Sequence, residues 1–227
     1  VHGVMNTDNM SILGKTIDYG PFSFVDNYDL NFTPNTTDLP GRRYAFGNQP
    51  SIGYWNLGRL ANAISLLFED THELEEALES YEKLFWDYYY GMMGKKLGLD
   101  RLKQEDKALI SEFEKVLSEI QPDMTLFYRL LADVPSEGAE DEIQDHFQKS
   151  FYRELNSSEK TDFLELIDRY SGRVKQNTIP RSMSRDKMNR TNPRIILRNY
   201  LLHQAIEQLE KGEDTLFLKL QQGMKQP

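Results

Sequence analysis

From Trp55 onward apolar residues return every three or four positions, and no other feature restricts the fold of this 227-residue chain as much. Trp55, Leu57, Leu60, Ala61, Ile64, Leu67 and Phe68 trace one side of a helix. Asp70 followed by Glu73 reads as the start of a second, with Leu74, Leu78, Tyr81, Leu84, Phe85 and Tyr88 on its apolar side. Leu109 to Ile120 predicts a third, stopped near Pro122, and Leu126 to Leu131 a fourth. Ile143, Phe147 and Phe151 mark a fifth, and Phe163 to Tyr170 a sixth ended by Gly172. Residues 173–191 read as a basic polar loop. Asn192 and Pro193 then read as the N-cap and first residue of another helix reaching Gly212, before a last short helix at 215–222.

Residues 1–50 carry no such period. Gly3, Gly14, Gly20, Gly41 and Gly47 fall here with Pro21, Pro34, Pro40 and Pro50. Their aromatic residues, Tyr19 to Phe46, argue against disorder. Ile12 and Leu13, Gly14 and Lys15, then Thr16 and Ile17 read as a small β-hairpin. The expected organisation is one continuous domain. Its segment 1–50 is loop-rich and segment 51–227 helical, so the fold class is mainly α with a small β-hairpin.

Composition removes several classes of function. The net charge of -9 disfavours general nucleic-acid binding, which needs concentrated positive charge. No run approaches the roughly 18 apolar residues of a membrane helix, so no membrane partner is expected. There is no cysteine, hence no disulfide, thiolate zinc site or cysteine nucleophile. His2, His72, His146 and His203 show no paired metal spacing.

The chemistry lies near the start. Residues 2–9 read His-Gly-Val-Met-Asn-Thr-Asp-Asn, and 18–20 read Asp-Tyr-Gly. Laid on the protein-kinase pair H-R-D-L-x-x-x-N and D-F-G, His2 takes the place of the His, Asn9 that of the metal-binding Asn, and Asp18 that of the metal-binding Asp. A Mg²⁺ ion wants hard oxygen ligands and keeps several waters, so one amide oxygen and one carboxylate suffice. Val4 stands where a kinase has its catalytic Asp, and a new carboxylate, Asp8, directly precedes Asn9. Ordinary phosphoryl transfer is therefore disfavoured. Taken alone, Asp18-Tyr19-Gly20 is a common turn sequence, Asp8 a loop carboxylate, and His2 a brace for the loop.

The whole segment HGVMNTDNMSILGKTIDYGP, residues 2–21, resembles the signature of the selenoprotein O family, the SelO pseudokinases. So do Gly41-Arg42-Arg43-Tyr44-Ala45-Phe46, Asn48-Gln49-Pro50, Trp55-Asn56-Leu57, Asn192-Pro193-Arg194 and Leu197-Arg198-Asn199-Tyr200. Lys15 departs from the apolar residue of that pattern. The resemblance implies a protein-kinase-like C-lobe with family-specific C-terminal helices. It implies a protein adenylyltransferase that binds ATP in a flipped orientation and moves AMP to hydroxyl groups of proteins. It makes Asp8 the proton acceptor and Asn9 and Asp18 the Mg²⁺ ligands, with Asp18 also near the nucleotide. Arg42, Arg43 and Tyr44 would anchor an activation-loop-like segment.

The chain starts at Val1 and holds no G-x-G-x-x-G loop, so the N-lobe is expected to be absent and this piece inactive alone. The setting expected from the resemblance is bacterial cytoplasm, or mitochondria in a eukaryote. A kinase-like phosphotransferase with Asp8 as a displaced base, and a non-catalytic helical interaction module, remain as alternatives. The basic residues Arg181, Arg185, Lys187, Arg190, Arg194 and Arg198 read as a solvated surface pairing with the acidic excess, ahead of a phosphate or acidic-peptide contact. Tyr88, Tyr89 and Tyr90 read as packing residues.

Overall fold

A computed structural model describes residues 1–16, 18–135 and 138–225. It divides the chain into two compact units, one of residues 1–24 and 29–89, the other of residues 25–28 and 90–227. The division falls at 89/90, so the line drawn at residue 50 from the sequence lies inside the first unit. Both units are mainly helical, and no described helix is long and apolar enough to cross a membrane.

In the first unit, short 3₁₀ turns lead into α1 (Gln49–Ile64) and the longer part of α2 (His72–Lys96). Pro50 sits in the first turn of α1, where its missing N–H has no intrahelical partner to lose. The buried face of α1 is Ile52, Gly53 and Asn56. The Tyr81 hydroxyl of α2 donates to the Pro50 carbonyl at 2.9 Å, and its ring stands 5.7 Å from that of Tyr54. Along α2 the rings of Tyr81, Phe85 and Tyr89 stack at spacings of 6.3 and 6.0 Å, one helical turn apart.

The expected hairpin is not seen. Ile12 and Leu13 are 78% and 74% exposed, so no buried face holds a strand there. The Gly14 amide instead closes a tight turn on the Ser11 carbonyl, with Gly14 at φ +65°. Ile17, assigned to the returning strand, lies outside the described residues. Antiparallel pairing occurs at the base of the loop instead, as a single His2–Phe22 bridge. The Gly3 amide donates to the Pro21 carbonyl at 2.8 Å and the Ser23 amide to the Val1 carbonyl at 3.1 Å.

The second unit holds α3 (Asp106–Ile120), α4 (Met124–Leu131), α5 (Glu140–Phe147), α6 (Ser157–Lys175), α7 (Arg181–Thr191), α8 (Asn199–Glu210) and α9 (Thr215–Met224). Its core is aromatic. Phe113, Phe127, Phe147, Phe163 and Tyr170 are fully buried and meet edge to face or tilted. The helix ends agree with local chemistry. Asp123 caps α4 by accepting from the Leu126 amide, and Asn156 with Glu159 forms a capping box on α6. Gln121 adopts φ +46° to end α3 before Pro122.

Three expectations fail in this unit. Helix α6 does not stop at Gly172 but runs to Lys175. An internal glycine costs about 1 kcal/mol relative to alanine. Here the next residue, Arg173, is buried and donates to both oxygens of buried Asp106, to the Arg101 carbonyl and to Asn177, which holds the extra turn in place. Residues 181–191 are helix, not loop. The buried side of α7 is only Ser184 and Met188, pressed against Gly98, where any Cβ would stand 2.5 Å from the Ser184 hydroxyl oxygen. Asn192 does not open a helix. It is buried, donating to the Lys96 carbonyl and accepting from the Lys96 ammonium, and the next helix begins at Asn199.

Much of the basic stretch serves this packing. Arg181 donates to the Leu131 and Ala132 carbonyls, and Lys187 to that of Leu99. Arg198 pairs with Asp123 at 2.7 Å and Asp26 at 3.1 Å. The Tyr152 hydroxyl donates to the same Asp123, and burial with that bond pushes its pKa up to about 12.

Candidate active site

Asp8 and Asn9 sit together on a 3₁₀ turn, Thr7–Asn9, in the first unit. The Asn6 side chain caps the turn by accepting from the Asn9 amide at 3.2 Å. The Asn9 Nδ2 donates to the Val4 carbonyl at 2.8 Å. A carbonyl can only accept, so this bond fixes which end of the Asn9 amide faces inward. No hydrogen bond to its Oδ1 is seen among the described residues. Asp8 is exposed beside it.

Val4 thus takes part through its backbone. Its carbonyl holds Asn9, and its amide donates to the His2 Nδ1 at 3.1 Å. His2 is a brace: its ring accepts that amide, and its backbone carbonyl accepts from the Gln49 Nε2 at 3.0 Å. Gly3 between them needs to be glycine, because a Cβ there would lie 2.6 Å from the Pro21 carbonyl oxygen.

Asp18 is exposed within the loop that the His2–Phe22 bridge closes. Its Oδ1 and the His2 ring approach the same point above Gly20, at 3.4 and 3.6 Å. No bond between Asp18 and the Asp8–Asn9 turn is seen among the described residues. No group of three or more His, Asp or Glu side chains placed to hold a metal ion is found among those residues. The available donors are an amide oxygen and carboxylates, all hard oxygen ligands. That set fits Mg²⁺, which keeps waters in the remaining positions, and does not fit a zinc cage.

The segment carrying Arg42, Arg43 and Tyr44 is fixed at several points. Asp38 accepts from the Arg43 and Tyr44 amides at 2.9 and 2.8 Å. Gln49 joins the Tyr44 carbonyl to the His2 carbonyl through one amide nitrogen. The Arg43 and Arg59 guanidinium groups lie 4.6 and 4.7 Å from the centre of the Trp55 ring.

Sequence reasoning missed Gln49, Asp38 and Asn56 as parts of this assembly. Gln49 and Asn56 lay within quoted motifs. Asn56 also had a usable signal: a polar residue four positions after Ile52, on the side of α1 that must be buried.

These features describe a loop of amide and carboxylate side chains braced against a helix. A profile of the family "Protein adenylyltransferase SelO" matches residues 1–225. The chain belongs to the SelO family. It is 54% identical over its whole length to a protein nucleotidyltransferase YdiU of Cytophaga hutchinsonii, covering 44% of that protein. It is 42% identical to proteins of the same name from Nitrosospira multiformis and Aromatoleum aromaticum, covering 45% and 43% of them. The chain thus spans less than half the length of these curated relatives.

Proposed function

We propose that this chain supplies the metal-binding and proton-accepting half of a protein adenylyltransferase, on a scaffold equivalent to a kinase C-lobe. The observation that carries the reading is the Asn9 amide, fixed through its Nδ2 on the Val4 carbonyl with exposed Asp8 beside it in the same turn. Asn9 and Asp18 would hold Mg²⁺, and Asp18 would also lie near the nucleotide. When bound, the ion supplies positive charge that neutralises the pyrophosphate leaving group.

The residues of this chain do the rest. Asp8 accepts the proton of a Ser, Thr or Tyr hydroxyl on the substrate protein as that oxygen bonds to the α-phosphorus of ATP. The bond from the α-phosphorus to the bridging oxygen breaks, and pyrophosphate leaves with both electrons. Asn6, His2 and Gln49 keep the loop in one shape, so positioning is present before substrate arrives. Val4 offers no base where a phosphotransferase would have one, which favours AMP transfer over γ-phosphoryl transfer. The proposed setting is bacterial cytoplasm. Residues beyond this span would cover the nucleotide, so the 227-residue chain alone is expected to show no turnover.

The test is label transfer by the full-length protein, with ATP labelled at the α- or the γ-phosphate and an Asp18→Ala control. α-Label on protein, lost in the control, supports the reading. γ-Label would mean a phosphotransferase with a moved base. No label from a folded, full-length protein would favour a non-catalytic module.

A further inference from the structure

Asn56 is 5% exposed, deep on the buried side of α1. Its Nδ2 donates to the Met5 carbonyl at 3.0 Å and lies 2.6 Å from the Met10 sulfur. Met5 and Met10 flank the segment 6–9, so one side-chain amide touches the chain just before and just after Asp8 and Asn9. The other end of the same amide is unusual. Asn56 Oδ1 is buried and has no hydrogen-bond partner among the described residues. The amide cannot turn over to relieve this, because Oδ1 would then face the Met5 carbonyl oxygen, two acceptors in contact.

An unpaired buried oxygen works against stability, and a leucine of similar size would remove it. Met5 itself is half-buried. A role in holding the fold alone therefore explains this asparagine poorly.

We propose that Asn56 is a positioning residue for the metal site. It ties both ends of the Asp8–Asn9 turn to the rigid α1, and so sets where Asn9 Oδ1 points. The inference rests on the reading of Asn9 as a Mg²⁺ ligand. Partners that orient metal ligands typically change metal affinity by about 10–100-fold when lost.

The test is Mn²⁺ titration of the full-length protein with ATP, read by the electron paramagnetic resonance of free Mn²⁺. Wild type is compared with Asn56→Leu and Asn9→Ala, and melting temperature is recorded for each. The expected result is Mn²⁺ binding weakened about tenfold in Asn56→Leu, with its melting temperature unchanged or raised, and binding lost in Asn9→Ala. Binding lost in Asn9→Ala but unchanged in Asn56→Leu would overturn the role of Asn56 and leave the site standing. Unchanged binding in Asn9→Ala would overturn the site and this inference with it. Asn56→Ser provides a smaller polar variant. If both Asn56 variants fail to fold, the residue serves the fold and the proposal is wrong.

Discussion

The two units are stabilised by different physics. In the second, a continuous set of buried rings and aliphatic residues runs through α3, α4, α5 and α6. In the first, the buried apolar residues among those described are Ala45 and Ile52. Side-chain amides and carboxylates bonded to backbone take the place of a core there: Asn6, Asn9, Asn35, Asp38 and Gln49. A packed core tolerates little change of shape, whereas directed hydrogen bonds can fix a loop around a ligand without filling the space the ligand needs. The unit with the thin core is the one that carries the proposed chemistry.

The largest effects are expected in the second unit. Phe127→Ala should lower unfolding free energy by about 3–5 kcal/mol, the usual cost of emptying an aromatic site in a tight core. Arg173→Met should cost about as much, because it strands the Asp106 carboxylate in the interior. Denaturant unfolding measures both. If either costs less than about 1 kcal/mol, the contrast between the units fails.

In the first unit, Asp38→Ala removes the acceptor for two backbone amides and should cost about 1–2 kcal/mol. Hydrogen exchange should localise the loss to residues 38–46, with the second unit unaffected. Exchange rising throughout the chain would mean that the first unit has no independent polar framework.

Lys96 gives a smaller, pH-dependent effect. Burial lowers its pKa from the ordinary 10.5 to about 8. Between those values the unfolded chain holds the proton and the folded chain does not, so stability should rise as pH increases from about 8 to 10.5. Lys96→Met should abolish that rise, which melting temperature across the range will show. The smallest effect is at Glu159. Hydrogen bonds from Arg153 and the Asn156 amide hold its carboxyl at about 2. Its contribution is present above the ordinary 4.5 and lost as pH falls through about 2, and Glu159→Gln should remove that slope.

The contrast also explains what could be read from the sequence. Packing helices declare themselves by period, so Leu109 to Tyr170 predicted α3 to α6, although Leu126 is exposed and Phe151 lies past the end of α5. Helix α7 did not, because Ser184 and Met188 give too narrow an apolar face for any periodic pattern, and its seat is a glycine far away in sequence. Gly172 misled because the bond from Arg173 to Asp106 is long-range. In the first unit the loop motifs pointed to Asp8, Asn9 and Asp18, but not to the residues that hold them. Gln49 and Asn56 act across gaps of 47 and 51 positions, and no local pattern encodes such a contact.

One measurement tests the central claim, that ligand chemistry belongs to the polar unit. Hydrogen exchange of the full-length protein would be compared with and without Mg²⁺ and a non-hydrolysable ATP analogue. Added protection is expected in residues 4–10 and 18–23, with the amides of α3 and α6 unchanged. Protection confined to α3 and α6, or none at saturating nucleotide, would contradict it.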